Sequence, residues 1–312
     1  MLKKEIILHT GLHKTGSKFI QDHFKSVNSN EFKIFLPNSQ ITKLLQKYLD
    51  NSNIEIKEEI KNIIRNEKSK KILFSSEAIL GHQYYDYKDC SKRYKLLEEI
   101  FDHPKYIIFF REPSLIIYSG YLNGLQKSYS LKFENYINKN KNDPFNRYFY
   151  NHFVRGLDYK IYNYNNILKD FLNIQNRVLF VDYDNFFKKK DVNYLNNFIG
   201  FNFQFNFEKK INESIKNLIY YEICEKLFFF KYIKIIWIQF NSLFFKYKSM
   251  RDVSLRVVVL INFLKKFIPQ KHFKGIDEKH RILLSEIKNY HSKDYKDFKN
   301  KIDYTLNQTN AK

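Results

Sequence analysis

Cysteine, glycine, proline and tryptophan are all scarce in this chain of 312 residues, with two, eight, five and one copies. So few glycines exclude a collagen-like repeat, and no Gly/Ser-rich or Pro-rich stretch marks a linker. The two cysteines, Cys90 and Cys224, allow at most one bridge, which excludes a disulfide scaffold and suits a reducing compartment. Apolar runs are short as well. Within residues 226–271 the longest uncharged stretch, residues 235–245, has eleven residues, where a bilayer span takes about 20. Near the N-terminus only residues 6–8 are apolar before His9, so the apolar core and cleavage site of a signal peptide are missing. The expectation is a cytoplasmic protein whose fold starts at residue 4.

Acidic residues are also in deficit, 33 against 54 Lys and Arg, for a net charge of +21. Such a surface favours anionic partners, whether phosphorylated ligands, acidic lipid or nucleic acid, and charge alone does not choose among them. Lys, Asn, Ile, Phe and Tyr, which have A/T-rich codons, are abundant, and this dilutes the argument from charge. With 44% hydrophobic and 28% charged residues the chain reads as folded rather than disordered.

Five short runs rich in Ile, Leu, Val and Phe read as buried parallel strands: residues 5–10, 32–36, 71–76, 106–110 and 177–182. Helical periodicity fills 17–27, 55–64, 91–101, 114–126 and 153–172, with Ser91 as an N-cap and Pro113 in a first turn. Alternating strands and helices predict an α/β fold, a doubly wound and mainly parallel sheet of about five strands flanked by helices. After Asn212 the strand-like runs stop. The expected organisation is therefore a core over residues 1–212 and a helical C-terminal region over 213–312.

Within that region, residues 226–271 carry ten basic residues and one acid, Asp252, interleaved with aromatics such as Phe228, Trp237 and Phe244. Two readings stand for this segment: a buried helix pair with lysines around its edge, or a basic amphipathic surface lying on anionic lipid.

The richest stretch chemically is Ile6-Ile7-Leu8-His9-Thr10-Gly11-Leu12-His13-Lys14-Thr15-Gly16-Ser17-Lys18. A strand that feeds a helix through a glycine-bounded turn exposes backbone N–H groups at the helix N-terminus, where the dipole favours an anion. Lys14 adds a positive charge and Ser17 a hydroxyl. The spacing Gly11-x-x-x-x-Gly16 would open a nucleoside-triphosphate P-loop, but Lys followed by Ser or Thr would have to come next. Here the order is Ser17-Lys18.

With its glycine and Lys14 in this order, the loop resembles the 5′-phosphosulfate loop of sulfotransferases that use 3′-phosphoadenosine 5′-phosphosulfate (PAPS), particularly bacterial members reading His-Lys-Thr-Gly-Thr-Thr. Ser17 is a mild departure from that pattern, and Lys18 stands where the family uses a hydroxyl residue on the 5′-phosphate. These enzymes also hold the 3′-phosphate with an Arg at a strand end and a Ser about eight residues on. Arg111 follows the run 106–110, and Ser119 lies in the next helix. Asp182-Tyr183-Asp184, Phe198-Ile199-Gly200 and Asn212-Glu213-Ser214 are weaker echoes, and together the resemblance covers residues 4–215.

The resemblance implies that residues 1–212 bind PAPS or its product adenosine 3′,5′-diphosphate. Lys14 would sit at the bridging oxygen, the N–H groups of Thr15, Gly16, Ser17 and Lys18 at the 5′-phosphate, and Arg111 and Ser119 at the 3′-phosphate. Glu77, at the end of the third run, is the first candidate for general base, with His13 and His82 competing. No metal is implied, and no Cys/His or His/Glu spacing suggests a zinc site. The acceptor implied is a carbohydrate or glycolipid hydroxyl, with peripheral contact to anionic membrane as one way to reach it. The alternatives are a P-loop kinase or NTPase and, ranked lower, a basic nucleic-acid-binding protein, for which no recognition motif is present.

Overall fold

Runs of Ile, Leu, Val and Phe can bury both faces of a strand at once; four of the five runs here do so, and the edge run over residues 32–35 is only partly buried. In the computed structural model, which describes residues 4–25, 30–81, 87–126, 133–137, 157–208 and 278–309, they form β1 (Glu5–Gly11), β2 (Phe32–Phe35), β3 (Lys71–Ser75), β4 (Lys105–Phe110) and β5 (Val178–Asp182). All neighbours pair in parallel, in the order β2-β3-β1-β4-β5. The α/β class with a five-stranded parallel sheet is as expected. β1 occupies the centre. The chain leaves it toward β2 and β3 on one side, then crosses to β4 and β5 on the other. The strand order therefore reverses beside β1, and in open parallel sheets ligands bind outside the carboxyl ends of strands at such a point.

Around the sheet lie α1 (Ser17–Phe24), α2 (Gln40–Asn51), α3 (Ile54–Asn66), α4 (Cys90–Ile100), α5 (Pro113–Gln126), α6 (Phe133–Ile137), α7 (Tyr164–Ile167), α8 (Lys169–Leu172), α9 (Tyr183–Lys189), α10 (Asn193–Ile199) and α11 (Glu278–Thr309). Side-chain caps start several of them. Asn53 accepts from the Ile56 N–H at 3.1 Å and Asp182 from the Asn185 N–H at 3.1 Å, each satisfying an N–H that a helix leaves unpaired.

Three local expectations need correction. The helix over 40–51 was not foreseen, although Ile41, Leu45, Tyr48 and Leu49 form its buried stripe. Ser91 lies inside α4 instead of capping it, and its hydroxyl donates to Asp170. The single helix over 153–172 is, from residue 157 on, a series of short turns. Asp158 and Asn163 accept N–H bonds from Lys160 and Asn166, so each starts a new turn instead of continuing an old one. Pro113 does open α5, where a missing N–H costs nothing.

The described residues fall into two units. One holds the sheet together with residues 157–208 and 283–309. On one sheet face Ile7, Phe19, Phe24, Leu73, Phe109, Val181 and Phe186 form the main core. On the other, Phe298 of α11 is fully buried against Phe110, Tyr164 and Phe180, with ring centroids 5.2, 5.2 and 5.4 Å away. The Asp294 carboxylate accepts from the Tyr164 N–H at 2.6 Å and from Asn165 Nδ2 at 2.8 Å, and Lys299 pairs with Asp182 at 3.0 Å. At the amino edge of the sheet Lys71 and Lys105 donate to the carbonyls of Phe198, Ile199 and Gly200, closing the negative end of α10.

The other unit is described over residues 118–126, 133–137 and 278–282, where the rings of Tyr118, Tyr121 and Phe133 pack on His280. Residues 209–277, including the basic aromatic segment 226–271 and Cys224, lie outside the described residues, as does His82. Cys90 is buried and free. Among the described residues no helix is long and apolar enough to cross a membrane.

Candidate functional site

The loop after β1 is held by its own backbone and by two neighbours. The Leu12 N–H donates to the Phe109 carbonyl at 3.3 Å, and the buried Thr15 hydroxyl donates to the Leu12 carbonyl at 2.6 Å. Farther round, the His13 N–H donates to Tyr87 Oη at 2.9 Å. Lys14 at φ 70° and Gly16 at φ 80° complete the turn in left-handed conformation. Gly16 is required twice over, because a Cβ there would lie 2.5 Å from Cε2 of Tyr183.

Directly after Gly16 comes α1, with no side-chain cap and no acidic residue in its first turn. Nothing of its own offsets the positive end of this helix, the arrangement that suits an oxyanion. Ser17 is buried at that first position and Lys18 is exposed. Lys14 is half-buried on the crown of the loop.

The ends of the other strands supply the rest of the rim. Arg111 follows β4, and its Nε and Nη2 both bond Asp184, at 3.1 and 3.0 Å, while the guanidinium stacks over Tyr183 with 4.5 Å from its carbon to the ring centroid. Asp184 engages one side of the guanidinium and leaves Nη1 without a partner among the described residues. The Arg111 carbonyl is held in turn by the hydroxyl of the buried Tyr164. Tyr183 therefore connects the two halves of the candidate site, with Gly16 against its edge and Arg111 on its face. Glu112 does not pair with Arg111; its carboxylate takes the N–H and hydroxyl of Ser114 at the start of α5.

Glu77 begins a short 3-10 turn, Glu77–Leu80, immediately beyond β3. Its carboxylate is half-buried and makes no hydrogen bond or ion pair among the described residues, so a lone pair is available to accept a proton. Behind it a buried Arg93 ties the turn down, bonding the Ala78 carbonyl at 3.1 Å and the carboxylates of Asp89 and Asp50.

Lys14, Thr15, Gly16, Ser17, Lys18, Glu77 and Arg111 all lie at the carboxyl edge of the sheet around β1, and His13 belongs to the same loop. Ser119 is half-buried on α5, in the second unit. Three site residues escaped the sequence reading. Tyr87 has no motif around it, whereas Tyr183 and Asp184 were visible only as part of the echo Asp182-Tyr183-Asp184. Among the described residues no three His, Cys, Asp or Glu gather as a metal-holding group.

No family model matches the sequence, and no curated protein matches it either. Solved structures do. The chain is similar to a sulfotransferase from Alicyclobacillus acidocaldarius, with 12% identity, a TM-score of 0.45 and coverage of 70% of this chain and 90% of that one. It is also similar to the sulfotransferase domain from the curacin biosynthetic pathway, with 13% identity, a TM-score of 0.34 and coverage of 70% and 78%. A mouse sulfotransferase complexed with PAP is a third, with 14% identity, a TM-score of 0.33 and coverage of 64% and 60%.

Proposed function

We propose that this protein is a sulfotransferase that moves a sulfuryl group from PAPS to an acceptor hydroxyl by in-line displacement. The observation that carries the reading is the strand, loop and uncapped helix of residues 5–24, with Lys14 on the loop and Arg111 across the ring of Tyr183. A 5′-phosphate would take the N–H groups of Thr15, Gly16, Ser17 and Lys18, with the Lys18 ammonium beside it. The free Nη1 side of Arg111 would take the 3′-phosphate. By the sequence pattern Ser119 would add its hydroxyl there.

In the reaction the acceptor oxygen attacks sulfur while the bond from sulfur to the bridging phosphate oxygen breaks. Glu77 takes the acceptor proton, a role worth roughly 10²- to 10⁴-fold in rate. Lys14 offsets the charge that develops on the departing adenosine 3′,5′-diphosphate, worth roughly 10²- to 10³-fold. The step needs no metal. The acceptor is read as a carbohydrate or glycolipid hydroxyl, met by the C-terminal region 213–312. A cytoplasmic location, with residues 226–271 touching anionic lipid, goes with a lipid-linked acceptor.

Binding of adenosine 3′,5′-diphosphate tests this directly. Micromolar binding without metal is expected, seen as a thermal shift, because ligand at about 100 times its Kd adds roughly 2.7 kcal/mol to stability. Lys14→Ala and Arg111→Ala should each weaken it at least about tenfold, the effect of losing one charge-assisted contact. Stabilisation by Mg-ATP alone would replace this reading with a kinase, and unchanged affinity in Arg111→Ala would remove the 3′-phosphate assignment.

A further inference from the structure

Tyr87 stands where the turn over residues 87–90 meets the loop, and it is fixed in place before any ligand arrives. Its carbonyl accepts the Cys90 N–H at 3.0 Å, its backbone is left-handed at φ 48°, and its ring lies edge-on to Tyr162 at 6.1 Å. The side chain is 2% exposed. Its hydroxyl has two partners among the described residues, both on His13: the backbone N–H at 2.9 Å and the ring Nδ1 at 3.0 Å.

The direction of these two bonds follows from counting hydrogens. A backbone N–H only donates, so the phenol oxygen accepts from it. The phenol hydrogen is buried, and among the described residues the acceptor it has is Nδ1. Placing a hydrogen on Nδ1 instead would point two donors at one oxygen and leave the buried O–H hydrogen unmatched, a loss comparable to a broken hydrogen bond. Burial also pushes the Tyr87 hydroxyl well above its usual range, so it keeps its proton.

We infer that Tyr87 is a positioning residue that holds His13 as the neutral tautomer with its proton on Nε2. His13 then has no free lone pair on its ring and serves as a hydrogen-bond donor, not a base. Resting on the sulfuryl-transfer reading, the group it would donate to is a sulfuryl or phosphate oxygen beside Lys14, which leaves proton abstraction to Glu77. The same bond to the His13 N–H holds the loop in the shape that places Lys14.

The test begins on the unsubstituted protein, where long-range ¹H–¹⁵N correlation of labelled histidines, assigned with His13→Gln, reads the tautomer near neutral pH. A single Nε2–H form is expected; an Nδ1–H form or an imidazolium overturns the inference. In Tyr87→Phe the Nε2–H preference should give way to a mixture of tautomers, and a spectrum unchanged from the parent overturns it too. Slow release of adenosine 3′,5′-diphosphate from PAPS into water supplies the second readout. His13→Gln, which keeps a donor near Nε2, should retain most of the rate that His13→Ala loses, whereas equal losses would make His13 a base. If adenosine 3′,5′-diphosphate fails to bind while the Nε2–H tautomer is present, the sulfotransferase reading fails and the assignment to Tyr87 stands.

Discussion

His9 lies in the central strand with Nδ1 2.6 Å from Ser75 Oγ, its ring wedged edge-on between Phe24 and Phe109 and its Nε2 buried without a hydrogen-bond partner among the described residues. Burial lowers its pKa from 6.5 to about 3. Above pH 6.5 folded and unfolded chains both hold it neutral, and its burial carries no proton penalty. Below that, the unfolded chain binds a proton that the folded chain refuses, so stability falls as pH falls, by about 1.4 kcal/mol per unit from this group. Urea denaturation between pH 6.5 and 4 should show that slope, and His9→Leu should flatten it by about that amount. An unchanged slope would mean that His9 takes up its proton in the folded state.

At the scale of elements, α11 depends on polar contacts as well as Phe298. Asp294 receives the first N–H of α7 and the amide of Asn165. Asp294→Ala leaves those donors without their charged acceptor and should cost about 1–3 kcal/mol, seen as a lower urea midpoint with an unchanged m-value. The four strands other than β2 were legible because runs buried on both faces are continuously apolar, as Ile7, Leu8, Ile107, Ile108 and Phe109 illustrate. The region 157–172 was not, because Asp158 and Asn163 cap locally against a helical pattern of apolar residues. In the candidate site, Lys14, Glu77 and Arg111 were readable because each follows a strand. The partners Tyr87 and Asp184 were not, since they come from 74 and 73 residues away and meet His13 and Arg111 only once the sheet has closed.

For the whole molecule the charge of +21 sets a background attraction for any polyanion. Salt separates that background from the site. Raising KCl from about 0.1 to 0.5 M should weaken binding of a random-sequence oligonucleotide by more than about a hundredfold, because many diffuse phosphate contacts are lost together. Adenosine 3′,5′-diphosphate, which on the proposed reading would be held at close range by a few groups in a preformed loop, should lose less than about tenfold under the same change. Oligonucleotide binding that survives the salt would favour the nucleic-acid reading, and titration by fluorescence anisotropy measures both.

The position of Phe298 also has a consequence in time. A ribosome delivers the chain from its amino end at roughly 5–20 residues per second. All five described strands are out once Asp182 has emerged, yet the face bearing Phe110, Tyr164 and Phe180 waits for α11 to arrive. For on the order of ten seconds at that speed the nascent protein carries an uncovered aromatic surface, long enough for a chaperone to reach it before its own last helix does.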